Sequence, residues 1–293
     1  MRITQGMISN NMLTNLTKSY SNLNKYMDQL NTGNKISKPS DNPFIAIKGM
    51  DYRTQLAQVE QYKSNTTEVD LWMDNSDSAL DGVSSGLKRM QELAIQASNG
   101  TYSESERKNV LEEAKQIKAD LISIANRKVN DRYIFNGTDT NHALITEDAN
   151  GVVTVNSGQQ PVKIHVADNI ELQANVNGEK VFGGDFFKNI DGFIKALGDN
   201  NQADIEKGID TLQANIDTVI NQRADLGARM NRMDLIKNRL DSQEITAKDV
   251  MSKNEKVDYE KAITDLLTQE TMHRAALAAG SRVIQPSLVD FLR

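Results

Sequence analysis

Residues 8–30, ISNNMLTNLTKSYSNLNKYMDQL, decide how the whole chain is to be read. Apolar side chains stand at Ile8, Met12, Leu16, Leu23, Met27 and Leu30, with Tyr20 filling the gap. Steps of three and four dominate, which predicts one amphipathic helix with one apolar stripe. Over about 25 residues at ~1.5 Å each, such a helix runs roughly 38 Å, too far for one small core to cover, so the stripe needs a partner. Thr32-Gly33-Asn34 supplies a C-cap signal. Lys38-Pro39-Ser40-Asp41-Asn42-Pro43 then reads as a loop that offers Ser40, Asp41 or Asn42 to cap the next helix.

Working outward, helical spacing resumes from about Phe44 to Ser98 through Ile47, Leu56, Val69, Trp72, Leu80 and Leu87, until Asn99-Gly100 stops it. A third helix starts near Ser103, where Ser103 and Glu106 form a capping-box pattern. After Arg132 the period changes to two. Val162, Ile164 and Val166 alternate with Lys163 and His165, and Val152 to Val155 and Ile170 to Ala174 add further strands. Asn150-Gly151 and Asn177-Gly178 read as turns between them, and Gly183-Gly184 closes the segment. Helical spacing returns at Phe187, Ile190 and Phe193 and continues through Leu226, Met233 and Leu240 to Leu266 and Leu277.

The expected fold is mainly α with a small β-rich inserted domain, an elongated rod of long helices formed by both chain ends as a coiled coil or bundle. Three regions follow from the pattern. Residues 1–40 with 255–293 make a terminal coiled-coil assembly domain, 41–135 with 186–254 a helical rod domain, and 136–185 a β-rich outer domain. Beyond the stripe the ends carry extra apolar residues such as Ile3, Met7, Leu13 and Val289, more than a two-helix seam hides. The expected assembly interface is therefore Ile8, Met12, Leu16, Leu23, Met27 and Leu30 from the first helix, with Leu266, Leu277, Leu288 and Phe291 from the last.

Composition argues against most chemistry. The chain has 293 residues, 40 acidic and 34 basic, and a net charge of -6, so nothing draws it to nucleic acid or anionic lipid. There is no cysteine, and His142, His165 and His273 lie far apart without metal-binding spacing. No catalytic, cofactor-binding or metal site is expected, and no enzyme activity. Arg223, Arg229, Arg232 and Lys237 cluster, but Asp225, Asp234 and Asp241 interleave with them, so they read as a mixed contact face. The opening Met1 to Met7 is soon followed by Asn10 and Asn11, leaving no unbroken apolar run of the kind a secretory signal needs.

Three stretches resemble a known family. Leu30-Asn31-Thr32-Gly33-Asn34-Lys35-Ile36, with Pro39-Ser40-Asp41-Asn42-Pro43, is similar to the loop that ends the first helix in flagellins and their hook-associated relatives. Residues 87–101, LKRMQELAIQASNGT, resemble the flagellin-family helix and turn, and the region from Leu226-Gly227-Ala228-Arg229 to the end resembles the family's other half. The β-rich middle carries none of the likeness. The resemblance implies a structural component of the bacterial flagellum. Within the family, Pro39 to Pro43, Arg132-Tyr133-Ile134-Phe135-Asn136-Gly137-Thr138 and the ending Pro286 to Leu292 favour a hook-associated subunit that joins hook to filament through helical packing of its termini; the alternative is flagellin, the bulk filament subunit. It further implies a homo-oligomeric ring, with an adjacent hook-associated protein and flagellin as partners, and an extracellular location. Export would pass through the flagellar type III apparatus without a cleavable signal, aided by a chaperone that covers Leu266, Leu277 and Leu288.

Overall fold

The computed structural model describes residues 5–99, 103–148, 151–156, 158 and 160–284. In chain order these form α1 (Gln5–Thr32), α2 (Pro43–Ala97) and α3 (Glu104–Ala125), then β1 (Lys128–Val129), β2 (Arg132–Tyr133), β3 (Ile145–Glu147), β4 (Val153–Val155), β5 (Lys163–Ala167) and β6 (Ile170–Gln173). The chain ends with α4 (Gly178–Phe182), α5 (Phe186–Gly198), α6 (Gln202–Glu255) and α7 (Tyr259–Ile284). Two compact units result, residues 59–242 and residues 1–58 with 243–293, and the long helices α2 and α6 contribute to both.

The unit of residues 59–242 holds the hydrophobic core. Along α2, Val69, Met73, Ser76, Leu80, Val83, Leu87 and Met90 recur at alternating steps of four and three, and every one is buried. That is the heptad spacing of a coiled-coil seam. On α6, Leu212, Val219, Leu226, Met233 and Leu240 follow the same seven-residue period and are fully buried. Polar pairs at the edge fix the direction: Gln91 meets Gln213 at 2.8 Å, Asp77 meets Arg223 at 3.0 Å, and Asp70 pairs with Lys237. Rising numbers on α2 meet falling numbers on α6, so the helices are antiparallel.

The third helix reaches this core through small residues. A Cβ on Gly82 would stand 3.2 Å from Ile124 and one on Gly86 3.3 Å from Leu121, so larger side chains there would push α3 away. Its start is the capping box expected from the sequence, with Ser103 and Glu106 bonded reciprocally. Beyond it, Phe135, Phe182, Phe186 and Phe187 form an edge-to-face cluster with ring centroids 5.0–5.5 Å apart between successive T-shaped pairs.

The strands do not form one sheet. They pair as three separate antiparallel ribbons, β1 with β2, β3 with β4 and β5 with β6. On β5, Lys163 and His165 face solvent and Val166 is buried, as period two requires, but a register shift between His165 and Ala167 turns Ala167 inward as well. Asn177-Gly178 starts a helix instead of making a turn. The Asn177 Oδ1 accepts from the Glu179 N–H at 2.9 Å, while the Gly178 N–H donates to Phe135 O at 3.1 Å. Gly178 is buried so tightly that a Cβ would come within 2.5 Å of that carbonyl.

Candidate assembly surface

In the unit of residues 1–58 with 243–293, α1 lies antiparallel to α7. Ser9, Met12, Leu16, Ser19, Leu23, Tyr26 and Leu30 form the inward row of α1, again at alternating steps of three and four. All seven are partly buried, and none is fully enclosed. The facing row of α7 is Ala262, Leu266, Gln269, His273, Ala276 and Gly280, of which only Ala262 and Gly280 are buried. The middle of the seam is polar. Gln269 Nε2 donates to Ser19 Oγ at 3.0 Å, His273 Nδ1 lies 3.2 Å from the same oxygen, and the Tyr20 ring stands 6.2 Å from the imidazole.

A further set of large apolar side chains sits on the outside of this pair. Leu13, Tyr20 and Met27, seven residues apart, form a second row on α1, flanked by Met7 and Ile8; on α7, Ile263, Leu267, Met272 and Leu277 are exposed as well. All nine are 42–60% exposed. An open hollow of about 240 Å³ lies among Met12, Leu13, Leu16 and Leu277. A heptad helix that carries apolar residues at three positions per repeat has more to bury than one partner can cover.

Of the residues expected at an interface, Met12, Leu16, Leu23, Leu30 and Leu266 meet within the seam, whereas Ile8, Met27 and Leu277 lie on the outer faces. Leu288 and Phe291 lie outside the described residues. The single stripe read from residues 8–30 is thus two adjacent rows, because a strict seven-residue period separates Met27 from Tyr26 and Leu30. Ser9, Ser19, Gln269 and His273 escaped notice because they are polar; only their spacing marks them.

The turns at the base of the pair are held firmly. Asn34 and Lys256 form an antiparallel bridge between the α1–α2 and α6–α7 connections. Asn42 is the cap of α2, its Oδ1 accepting from Phe44 and Ile45 N–H at 3.2 and 3.3 Å, with Pro43 as the first helical residue. Asp41 instead braces the loop, accepting from the Lys38 and Ser37 N–H groups at 2.9 and 3.0 Å, and these bonds hold its carboxylate below the usual range.

Elsewhere the polar groups are engaged in structure. Arg223 donates to Asp77 and Asp81, Arg229 to the carbonyls of Gln173 and Asn175, and Lys237 to Asp70. The basic cluster seen in the sequence is therefore an internal brace between α6 and its neighbours, with Arg223, Arg229 and Lys237 all committed. His142 pairs with Asp139 at 2.7 Å and His165 with Glu171 at 3.3 Å, both at exposed positions. Among the described residues no group of His, Asp and Glu is placed to hold a metal ion, and no described helix is long and apolar enough to cross a membrane.

Residues 3–140 match the bacterial flagellin N-terminal helical region and residues 208–292 the bacterial flagellin C-terminal helical region. The ribbons of β3 to β6, with α4 and α5, lie between the two matches, whereas β1 and β2 fall within the first. Over 306 residues the chain is 24% identical to flagellar hook-associated protein 3 of Escherichia coli (strain K12), covering 95% of this chain and 96% of that protein. The structure of Bacillus cereus FlgL superposes with a TM-score of 0.61 at 27% identity, covering 69% of this chain and 99% of that one. A flagellar hook-associated protein from Vibrio parahaemolyticus gives a TM-score of 0.69 over 74% of this chain and all of its own, at 21% identity, a likeness of fold. Flagellins match as well. With the family's two helical regions matched at its two ends, in the order and position that α1 to α3 and α6 to α7 occupy, the chain belongs to the bacterial flagellin family.

Proposed function

We propose that this chain is a structural subunit of the bacterial flagellum that joins hook to filament, and that it assembles through the outer faces of its terminal helix pair. One observation carries the reading. In residues 59–242 the heptad rows are buried, but in the terminal pair a second apolar row, Leu13, Tyr20 and Met27, is left more than half exposed by the described residues. Covering each such half-exposed side chain contributes on the order of 1 kcal/mol, so nine of them together rival the stability of a typical domain. Neighbouring subunits are the cover that a hook-associated protein would find. Alignment over 95% of this chain with a protein named hook-associated protein 3, together with the fold shared with Bacillus cereus FlgL at 27% identity, supports the junction reading.

In this reading residues 1–40 with 255–293 form the assembly region of a ring of copies. Met12, Leu16, Leu23, Leu30 and Leu266 hold the pair, while Ile8, Met27 and Leu277 meet neighbours, joined by Leu288 and Phe291. Another hook-associated protein lies on one side of the ring and flagellin on the other, outside the cell. The subunit is not an enzyme. Export runs unfolded through the flagellar type III apparatus, and a chaperone covers Leu266, Leu277 and Leu288 until α1 is available.

Deletion of the gene tests the junction role. Cells are expected to build hooks that lack filaments and to shed flagellin into the medium; filaments of normal length would overturn it. Quantifying the protein in sheared wild-type filaments separates the two members of the family, since a junction subunit is a trace component and a flagellin the bulk.

A further inference from the structure

The two connections at the base of the terminal pair are bonded to each other more closely than the pair itself. Lys35 N–H donates to Glu255 O at 2.7 Å and Val257 N–H donates to Gly33 O at 3.0 Å, leaving Asn34 and Lys256 as the facing residues between them. Side chains close the same junction. Lys35 Nζ reaches Lys253 O at 2.6 Å, Asn254 Nδ2 reaches Ile45 O at 3.0 Å, and the Arg53 guanidinium meets the Glu255 carboxylate at 2.9 Å. Every one of these bonds joins residues more than two hundred positions apart. Gly33 is indispensable to the geometry: its φ is +67°, and a Cβ would stand 2.6 Å from the Tyr259 hydroxyl.

Farther along, the seam offers half-buried side chains and a polar centre, and helices in proteins draw most of their stability from the packing of such a face. A weak seam joined to a firm base closes from the base. We propose that this clasp, Gly33 to Lys35 against Lys253 to Val257, registers the terminal helices: α1 and α7 zip from it toward Met12 and Gly280, and it keeps the α7 of one copy from pairing with the α1 of another. The outer rows are then presented in fixed register. That neighbouring subunits read this register rests on the function proposed above; the zipping does not.

Residue-resolved hydrogen exchange on the full chain tests the clasp. The Lys35 and Val257 amides are expected to be the slowest in this unit, with protection falling along α1 toward Met12 and along α7 toward Gly280. Gly33→Val strains the backbone and crowds Tyr259, and is expected to lower protection at Ser19 and His273 by about tenfold while Leu80 and Val219 keep theirs. Because the chain has no cysteine, Asn34→Cys with Lys256→Cys can replace the clasp cleanly. The pair is of the non-hydrogen-bonded type, with Cα atoms about 4.5 Å apart, within disulfide reach. Oxidising the triple variant should restore protection at Ser19, and reduction should abolish it again.

Uniform or reversed protection in the wild type overturns the proposal. So does a Gly33→Val effect confined to the residues beside Gly33, or an oxidised bridge that leaves Ser19 unprotected. Normal filaments on deletion would remove the junction reading and leave these exchange results untouched.

Discussion

Leu87 is fully buried in the heptad core of residues 59–242, and its removal leaves a cavity that long packed helices cannot collapse around. Leu87→Ala is expected to destabilise that unit by about 3 kcal/mol, read from the urea midpoint. Arg223 makes two bonds to Asp77 and one to Asp81 but is partly open to solvent, so Arg223→Met should lose only about 1 kcal/mol. A double-mutant cycle with Asp77→Asn isolates the pair. Glu106 is the pH-sensitive cap. The Ser103 hydroxyl and then the Ser103 N–H donate to its carboxylate and hold it below the usual range. A depressed value stabilises the folded form at pH above the unfolded value, and the gain disappears as pH falls through the folded one. The first turn of α3 should therefore fray as pH falls below the ordinary glutamate range, seen in the Ser103 and Glu106 amide resonances, and Glu106→Gln should remove the dependence.

At the scale of elements, the helices and their caps were legible because both signals are local. The steps of three and four place α1 and α2 within a few residues but carry no break between α5, α6 and α7, and Ser103, Glu106, Asn42 and Pro43 sit where short-range bonding alone puts them. The ribbons were half legible. Alternation marks β5, but strands of two to five residues carry no record of which partner they choose. Asn177-Gly178 reads as a turn until the fold brings Phe135 against it. The seam of the terminal pair hid for a different reason: Ser19, Gln269 and His273 occupy heptad positions without being apolar. The clasp is invisible in sequence, since its halves are joined only by the fold. Met27→Asn, on the outer row, should change monomer stability by no more than about 0.5 kcal/mol and yet abolish incorporation at hook tips, as judged by immunolabelling. Leu23→Asn, in the seam, should loosen the pair itself.

For the molecule as a whole, the two units differ in what completes them. Residues 59–242 bury their own core, so removal of residues 1–35 should abolish incorporation while the remainder keeps a cooperative thermal transition by circular dichroism, reduced in helical signal by the loss of α1. The terminal pair packs one apolar row within, around a polar centre, and leaves a second set of large apolar side chains outside, an arrangement that makes sense for a piece of a larger assembly and poorly for a free-standing hairpin.

Thiol accessibility at position 27 tests that most directly. Met27→Cys gives the chain its only thiol, and Lys180→Cys, on the other unit, serves as the reference. In the purified monomer both should react rapidly with a maleimide; in isolated hooks carrying the assembled protein, position 27 should be shielded while position 180 still reacts. Equal reactivity of position 27 before and after assembly would contradict the account.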